Sequence, residues 1–234
     1  MSKSPKRMIM TVGDSRVGKS TVIKLLIDLL QSQNRKIKVY NHDNLQRFKA
    51  YETVVTIDSL DFFRGETDKI LQDLNNDELE IIMVDMPGQY LEKICQYIQR
   101  TDLFSLLVDY QWSLTFVQPI SQRIDCVNYL KSLLEFAIDN TNYVLVKNQY
   151  FGEIFRDYQE IMQSKFRIIG GAEIELTRLH RDHYEAIERT AKPISQCVTD
   201  TSVYLVYRTY IYHWIKNFHA SIRNETIASK YLGI

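Results

Sequence analysis

The residues best equipped for chemistry open with Gly13-Asp14-Ser15-Arg16-Val17-Gly18-Lys19-Ser20, a G-x-x-x-x-G-K-S run. A loop of this kind wraps phosphates in successive backbone N–H groups, provided it joins a strand to a helix. The flanks fit that context. Arg7 to Val12 reads as a short buried strand, and Thr21 to Leu30 reads as an amphipathic helix whose N-terminus adds partial positive charge. The pattern places Lys19 on the β- and γ-phosphates and the Ser20 hydroxyl on Mg²⁺, with Gly13 to Thr21 lying along the nucleotide. The plain alternative is a Gly-bearing turn, which the strand and helix on either side disfavour.

Three further residues stand where strands are expected to stop. Leu79 to Val84 is a nearly continuous apolar run that ends on Asp85, as a central parallel strand does. A carboxylate there can hold Mg²⁺ opposite Ser20; its ordinary role is to cap the next helix. Lys36 to Tyr40 alternates as a strand and leads to Asp43. Asp43 is the candidate for orienting the attacking water, with an ordinary turn aspartate as the alternative. Asp58 and Asp109 rank below it. Tyr143 to Val146 is a strand closing on Lys147-Asn148, and Asn148 is the candidate contact to the base.

These positions need a scaffold. The coarse order is strand, helix, strand, then further strands at Thr53 to Ile57, Leu79 to Asp85, Leu103 to Tyr110, Tyr143 to Val146 and Phe166 to Ile169. Helices are expected at Thr67 to Leu74, Tyr90 to Arg100, Ile120 to Ile138, Gly152 to Gln163, Leu176 to Thr190 and across Thr199 to Tyr231. That order predicts a three-layer α/β fold: a mostly parallel sheet with helices on both faces, in one domain over residues 1–234. Ligands of such sheets sit beyond the carboxyl ends of the strands, where the loop, Asp43, Asp85 and Asn148 would converge.

Here the chain resembles the ParA/MinD-type P-loop ATPases, the deviant-Walker branch that positions plasmids, division sites and other cargo. Asp43 follows Lys19 by 24 residues, which is similar to the spacing to that family's catalytic aspartate. Asp85-Met86-Pro87-Gly88 is similar to its D-x-P-P, Asn148 resembles its base-side asparagine, and Ala191-Lys192-Pro193-Ile194 resembles its G-K-P-V. Among these relatives, plasmid-mobilisation (MobD-like) and orphan ParA-like proteins are the most similar in character. The resemblance implies ATP, Mg²⁺, slow hydrolysis, a nucleotide-dependent homodimer and a partner protein or DNA. The chain also departs from the family. Asp14 stands where the family has a second lysine that reaches a dimer partner's phosphates; Ser15 and Arg16 replace two glycines, and Asn41 replaces an aspartate. A carboxylate aimed at a partner's γ-phosphate would repel it. Either the usual sandwich does not form, which leaves a nucleotide-dependent binding module with little turnover as the alternative, or Arg16 or Lys147 supplies the cation.

Other readings stay open at this point. Asp85-Met86-Pro87-Gly88-Gln89 also fits the D-x-x-G-Q switch of Ras-like GTPases, with Gln89 on the water, but the N-K-x-D that selects guanine is missing. Arg178 to His183 could be a kinase lid or the polar face of a helix, and His180 and His183 have i,i+3 spacing. Tyr207, Ile211, Trp214, Ile215 and Phe218 form an aromatic-rich stripe that suits the core, or a partner surface. Lys3, Lys6 and Arg7, or Arg178, Arg181, Arg189 and Lys192, could make a weak DNA patch. No basic amphipathic face suits a membrane. Lys and Arg total 29, as do Asp and Glu, so no global field favours nucleic acid. Cys95, Cys126 and Cys197 form no C-x-x-C pair, so free thiols are expected. With no leader before the first strand, and no apolar run near the ~18 residues of a membrane span, a soluble intracellular protein is expected.

Overall fold

The structure, a computed structural model, describes residues 5–42, 45–60, 68–137 and 141–234. Asp43, Lys3, Thr67 and Ile138 lie outside the described residues. Seven strands form one sheet: β1 (Lys6–Thr11), β2 (Ile37–Asn41), β3 (Thr56–Ser59), β4 (Ile81–Asp85), β5 (Trp112–Ile120), β6 (Asn142–Asn148) and β7 (Ala172–Leu176). Their order is β3-β2-β4-β1-β5-β6-β7, and every neighbouring pair is parallel. The fold is thus the α/β P-loop NTPase arrangement, with β1 at its centre. Register aligns Thr11 and Asn41 with Asp85 on either side, and all three are buried at the carboxyl edge.

Strand alternation divides the core into two layers. Ile9, Val39, Met83, Val117 and Val144 face α1 (Lys19–Gln31), which follows the loop, and the C-terminal helices α8 (Arg181–Thr190), α9 (Leu205–Asn224) and α10 (Thr226–Leu232). Met8, Met10, Ile82, Val84 and Leu145 face the opposite layer. That layer holds α2 (Asp68–Asp73), α3 (Leu91–Arg100), α4 (Leu103–Asp109), α5 (Ile124–Ala137), α6 (Arg156–Ile161) and α7 (Gln163–Ile168). Each fully buried aliphatic side chain contributes about 1.5–3 kcal/mol, so both faces hold the sheet flat against its helices. Two 3-10 turns, Leu45–Tyr51 and Ile194–Val198, complete the first layer. No helix among the described residues is long and apolar enough to cross a membrane.

Several segments differ from the sequence expectation. Leu103 to Tyr110 is not a strand: Leu103–Asp109 is helix α4, burying Leu103 and Leu107 one turn apart, so Asp109 ends a helix. The strand comes next, at Trp112–Ile120, and takes the first residue expected in the long helix, which starts at Ile124. Phe166 to Ile169 is likewise helical, in and just after α7, and the true strand is the alternating Ala172–Leu176. Short apolar runs do not separate strand from helix, because four to eight buried residues satisfy either period.

Candidate functional site

The loop from Gly13 to Gly18 leaves the end of β1 and enters α1. Gly13 (φ 122°) and Gly18 (φ 98°) take backbone angles that suit glycine. At Gly18 a side chain has no room either, since a Cβ would lie 2.7 Å from the Asn148 amide nitrogen. Lys19 folds back over the loop. Its Nζ donates to the carbonyl oxygens of Asp14 (2.7 Å) and Gly13 (3.3 Å). Those are the contacts a phosphate would compete for as it settles into the loop.

Beside Lys19, the Ser20 hydroxyl donates to Asp85 Oδ2 at 2.7 Å, and the Thr11 hydroxyl donates to Asp85 Oδ1 at 3.0 Å. Asp85 is 4% exposed. Burial raises its carboxyl above the ordinary aspartate range, against the pull of the Ser20 and Thr11 hydrogen bonds and of Lys19 and Arg47. A buried carboxylate touching a serine hydroxyl at a phosphate loop is the donor set a Mg²⁺ ion needs, so these residues fit that ion. Thr11 was not anticipated from sequence. Its role follows from the register of β1 against β4, which sets it beside Asp85.

Asn148 ends β6 on the other side of the loop. Its Nδ2 donates to the Val17 carbonyl (2.9 Å), and its Oδ1 accepts from the Tyr150 N–H (3.1 Å). It braces the loop while lining a cavity of about 410 Å³. Arg16, Thr21, Tyr150, Tyr184 and Trp214 also line that cavity, and the Thr21 and Tyr184 hydroxyls are 3.1 Å apart. The walls mix aromatic side chains with charged ones, Glu185 and Glu188 among them, and Arg16 and Gly18 bring the loop to the cavity's edge. Sequence reasoning missed Tyr184 and Trp214 as site residues, since helical periodicity alone marks Trp214 as core.

Asp14 turns inward, away from solvent. Its side chain is buried and paired to Arg123 (Oδ2 to Nη2, 2.7 Å), while Oδ1 accepts from the Ser15 N–H (2.6 Å) and Gln89 Nε2 (2.9 Å). Gly88 packs so closely that a Cβ would meet Ser15 Oγ at 2.6 Å, which fastens the turn after β4 to the loop. Arg123 carries no sequence signal, because 109 residues separate it from Asp14. Of the two proposed substitute cations, Lys147 is held by Glu173 (3.4 Å) and Glu175 (3.3 Å) on β7. Arg16 is exposed at the crest of the loop in a left-handed conformation (φ 61°).

The remaining candidates are placed as follows. Asp58 pairs with Lys38 at 3.0 Å on the sheet edge. In the lid stretch, Arg181 is tied to Glu185 (2.7 Å), and His183 is stacked on Tyr210 with ring centroids 4.8 Å apart. Burial and neighbouring His180 lower the His183 pKa. Among the described residues, no group of three or more His, Cys, Asp or Glu could hold a metal ion. Arg189 and Lys192 pair with Glu185 and Asp200, so little of the suggested basic patch is unopposed. Of the aromatic stripe, Ile211, Trp214, Ile215 and Phe218 are buried core and half-buried Tyr207 packs against it, whereas Tyr204, Leu205, Tyr210 and Tyr212, which lie off the stripe, are exposed. All three cysteines are free thiols.

A parallel sheet with β1 at its centre, a glycine-bounded loop and an acid on the adjoining strand defines the fold class as P-loop NTPase. No protein-family model matches the chain, and no curated protein is similar to it in sequence. Solved structures are similar in fold. The MinD cell division protein of Aquifex aeolicus matches with a TM-score of 0.53 at 14% identity, over 94% of this chain and 98% of that one. The signal recognition particle receptor FtsY of Elizabethkingia anophelis matches with a TM-score of 0.52 at 12% identity, over 76% of this chain and 61% of that one. Chloroplast FtsY from Physcomitrella patens matches with 0.53 at 14%, also over 76% and 61%. The chain therefore spans about three-fifths of the FtsY structures and nearly all of MinD. At these identities the likeness concerns the fold.

Proposed function

We propose that the chain is a Mg²⁺-dependent P-loop nucleoside triphosphatase that binds ATP, hydrolyses it slowly, and changes its association with a second copy and a partner protein or DNA according to the nucleotide held. The observation that carries this reading is the Ser20–Asp85 contact of 2.7 Å beside Lys19, at the start of the helix that follows the glycine-bounded loop. Backbone N–H groups from Gly13 to Gly18, with Lys19, hold the phosphates; Thr21 and Asn148 lie toward the base. Ser20 and Asp85 hold Mg²⁺, which when bound neutralises charge building on the β- and γ-phosphate oxygens. Asp43 orients the water that attacks the γ-phosphorus as the bond to the leaving oxygen breaks, giving ADP and phosphate.

Adenine is favoured because Lys147-Asn148-Gln149-Tyr150 lacks the aspartate of N-K-x-D, the group that pairs with guanine's N–H groups. Titrating fluorescent ATP and GTP analogues with and without Mg²⁺ tests the site, and phosphate release tests turnover. Sizing the chain with ATP, with ADP and without nucleotide tests self-association. Preference for GTP would overturn the adenine assignment. Normal ATP binding by Lys19→Ala would overturn the site, and unchanged turnover in Asp43→Ala would remove Asp43 from it.

A further inference from the structure

Asp14 puts a full negative charge inside a loop proposed to receive a polyanion. Its side chain is 4% exposed, so water does little to mask that charge. The structure supplies a mask from elsewhere in the chain. Arg123, in the turn between β5 and α5, lies with Nη2 at 2.7 Å from Asp14 Oδ2. The same nitrogen donates to the Ser15 carbonyl at 2.9 Å, and Nε donates to Ser121 Oγ at 3.3 Å. The guanidinium is thus fixed on three sides, although the Arg123 side chain is 50% exposed. The other carboxylate oxygen is taken by Ser15 N–H and Gln89.

We propose that Arg123 is a positioning residue of the phosphate site. By pairing Asp14 it cancels the carboxylate's field within the loop, and so sets the loop's affinity for a polyphosphate. The proposal rests on the nucleotide-binding reading above and deepens it. The charge balance is its basis: Lys19 and Asp14 cancel one another, and Arg123 restores a net positive charge where the anion docks. Arg123 also fixes the Asp14 carboxylate and the Ser15 carbonyl in place, so the N–H groups that follow keep their direction.

The test is a double-mutant cycle read by fluorescent ATP binding with Mg²⁺ in wild type, Arg123→Ala, Asp14→Asn and the double variant. Arg123→Ala should bind about 30-fold more weakly, because it strands a buried charge. The double variant should recover to within about 3-fold of Asp14→Asn, because the charge needing a partner is gone. Asp14→Asn alone should bind ATP at least as tightly as wild type, which a purely structural role for the Arg123–Asp14 pair would not give. Thermal melts check folding, and Arg123→Gln takes the place of any alanine variant that fails to fold. Normal binding by Arg123→Ala, or a double variant as weak as the single one, overturns the proposal. Lys19→Ala run alongside separates the layers. If it binds like wild type, the nucleotide reading fails; if it abolishes binding while Arg123→Ala is neutral, only this proposal fails.

Discussion

Strands β4 and β6 stop at the same edge of the sheet, and each stops on a polar side chain that touches the glycine-bounded loop or its helix. They do so with different chemistry. Asp85 is a buried carboxylate held by two hydroxyls, and burial works against its charge. Asn148 is a neutral amide that spends both its ends on backbone groups, Val17 and Tyr150. The difference separates two jobs. A charge kept in a dry place is costly to the fold and useful to a cation, whereas an amide there costs little and gives shape.

That contrast can be broken by exchanging the chemistry. Asp85→Asn keeps the hydroxyl contacts in outline and removes the charge. Mg²⁺-dependent phosphate release should fall by about 100-fold or more, with a melting temperature equal to or above wild type. A large fall in melting temperature would make Asp85 a structural residue like Asn148. Asn148→Ala should show the reverse pattern. Losing a buried hydrogen bond should cost about 1–3 kcal/mol in urea unfolding, and the looser loop should bind nucleotide only about 10-fold more weakly.

A third buried polar group sharpens the comparison, because it shares Asp85's burial and lies on α1 away from the loop. Burial pushes the Asp28 carboxyl up to about 6, against hydrogen bonds from the Ser195 N–H (2.9 Å) and the Tyr51 hydroxyl (3.3 Å). The folded value lies above the unfolded one. Asp28 therefore contributes its full stability below the ordinary aspartate pKa and loses it as pH rises through about 6. Unfolding free energy should drop by about 1 kcal/mol between pH 5 and pH 8 relative to Asp28→Asn, measured by urea titration. Equal slopes in the two proteins would show that the carboxylate is not held this way. The smallest effect is expected at Lys147. With its ammonium on Glu173 and Glu175, Lys147→Ala should change nucleotide affinity by less than about 2-fold.

The two strand ends also show what a sequence makes legible. Asp85 stood out because it closes a nearly continuous apolar run, Asn148 because it follows a short one, and the glycine-bounded loop by its spacing. The sheet's right-hand half was harder to read. Leu103 to Asp109 has enough apolar residues for a strand, but its burial recurs every four residues. In β5, Thr115, Gln118 and Pro119 hid a fully engaged strand. Glu173 and Glu175 on the edge strand β7 point out to Lys147 and Arg167, so that strand looked polar. Arg123 and Tyr184 were invisible for another reason. Their importance comes from which strands become neighbours, and no local pattern encodes that.

The central place of β1 has a consequence in time as well as in space. Met8 pairs with Ile82 on one side and with Leu114 on the other. The strand that launches the loop therefore has neither neighbour until long stretches of later chain have been ordered. Closing such distant parallel pairings costs chain entropy before any contact rewards it, and folds built this way are slow to form. Until β4 and β5 dock, the apolar run from Met8 to Val12 is an unpaired strand with nothing covering it. In that interval the chain is most exposed to misassociation, and a chaperone or a low concentration should raise refolding yield most.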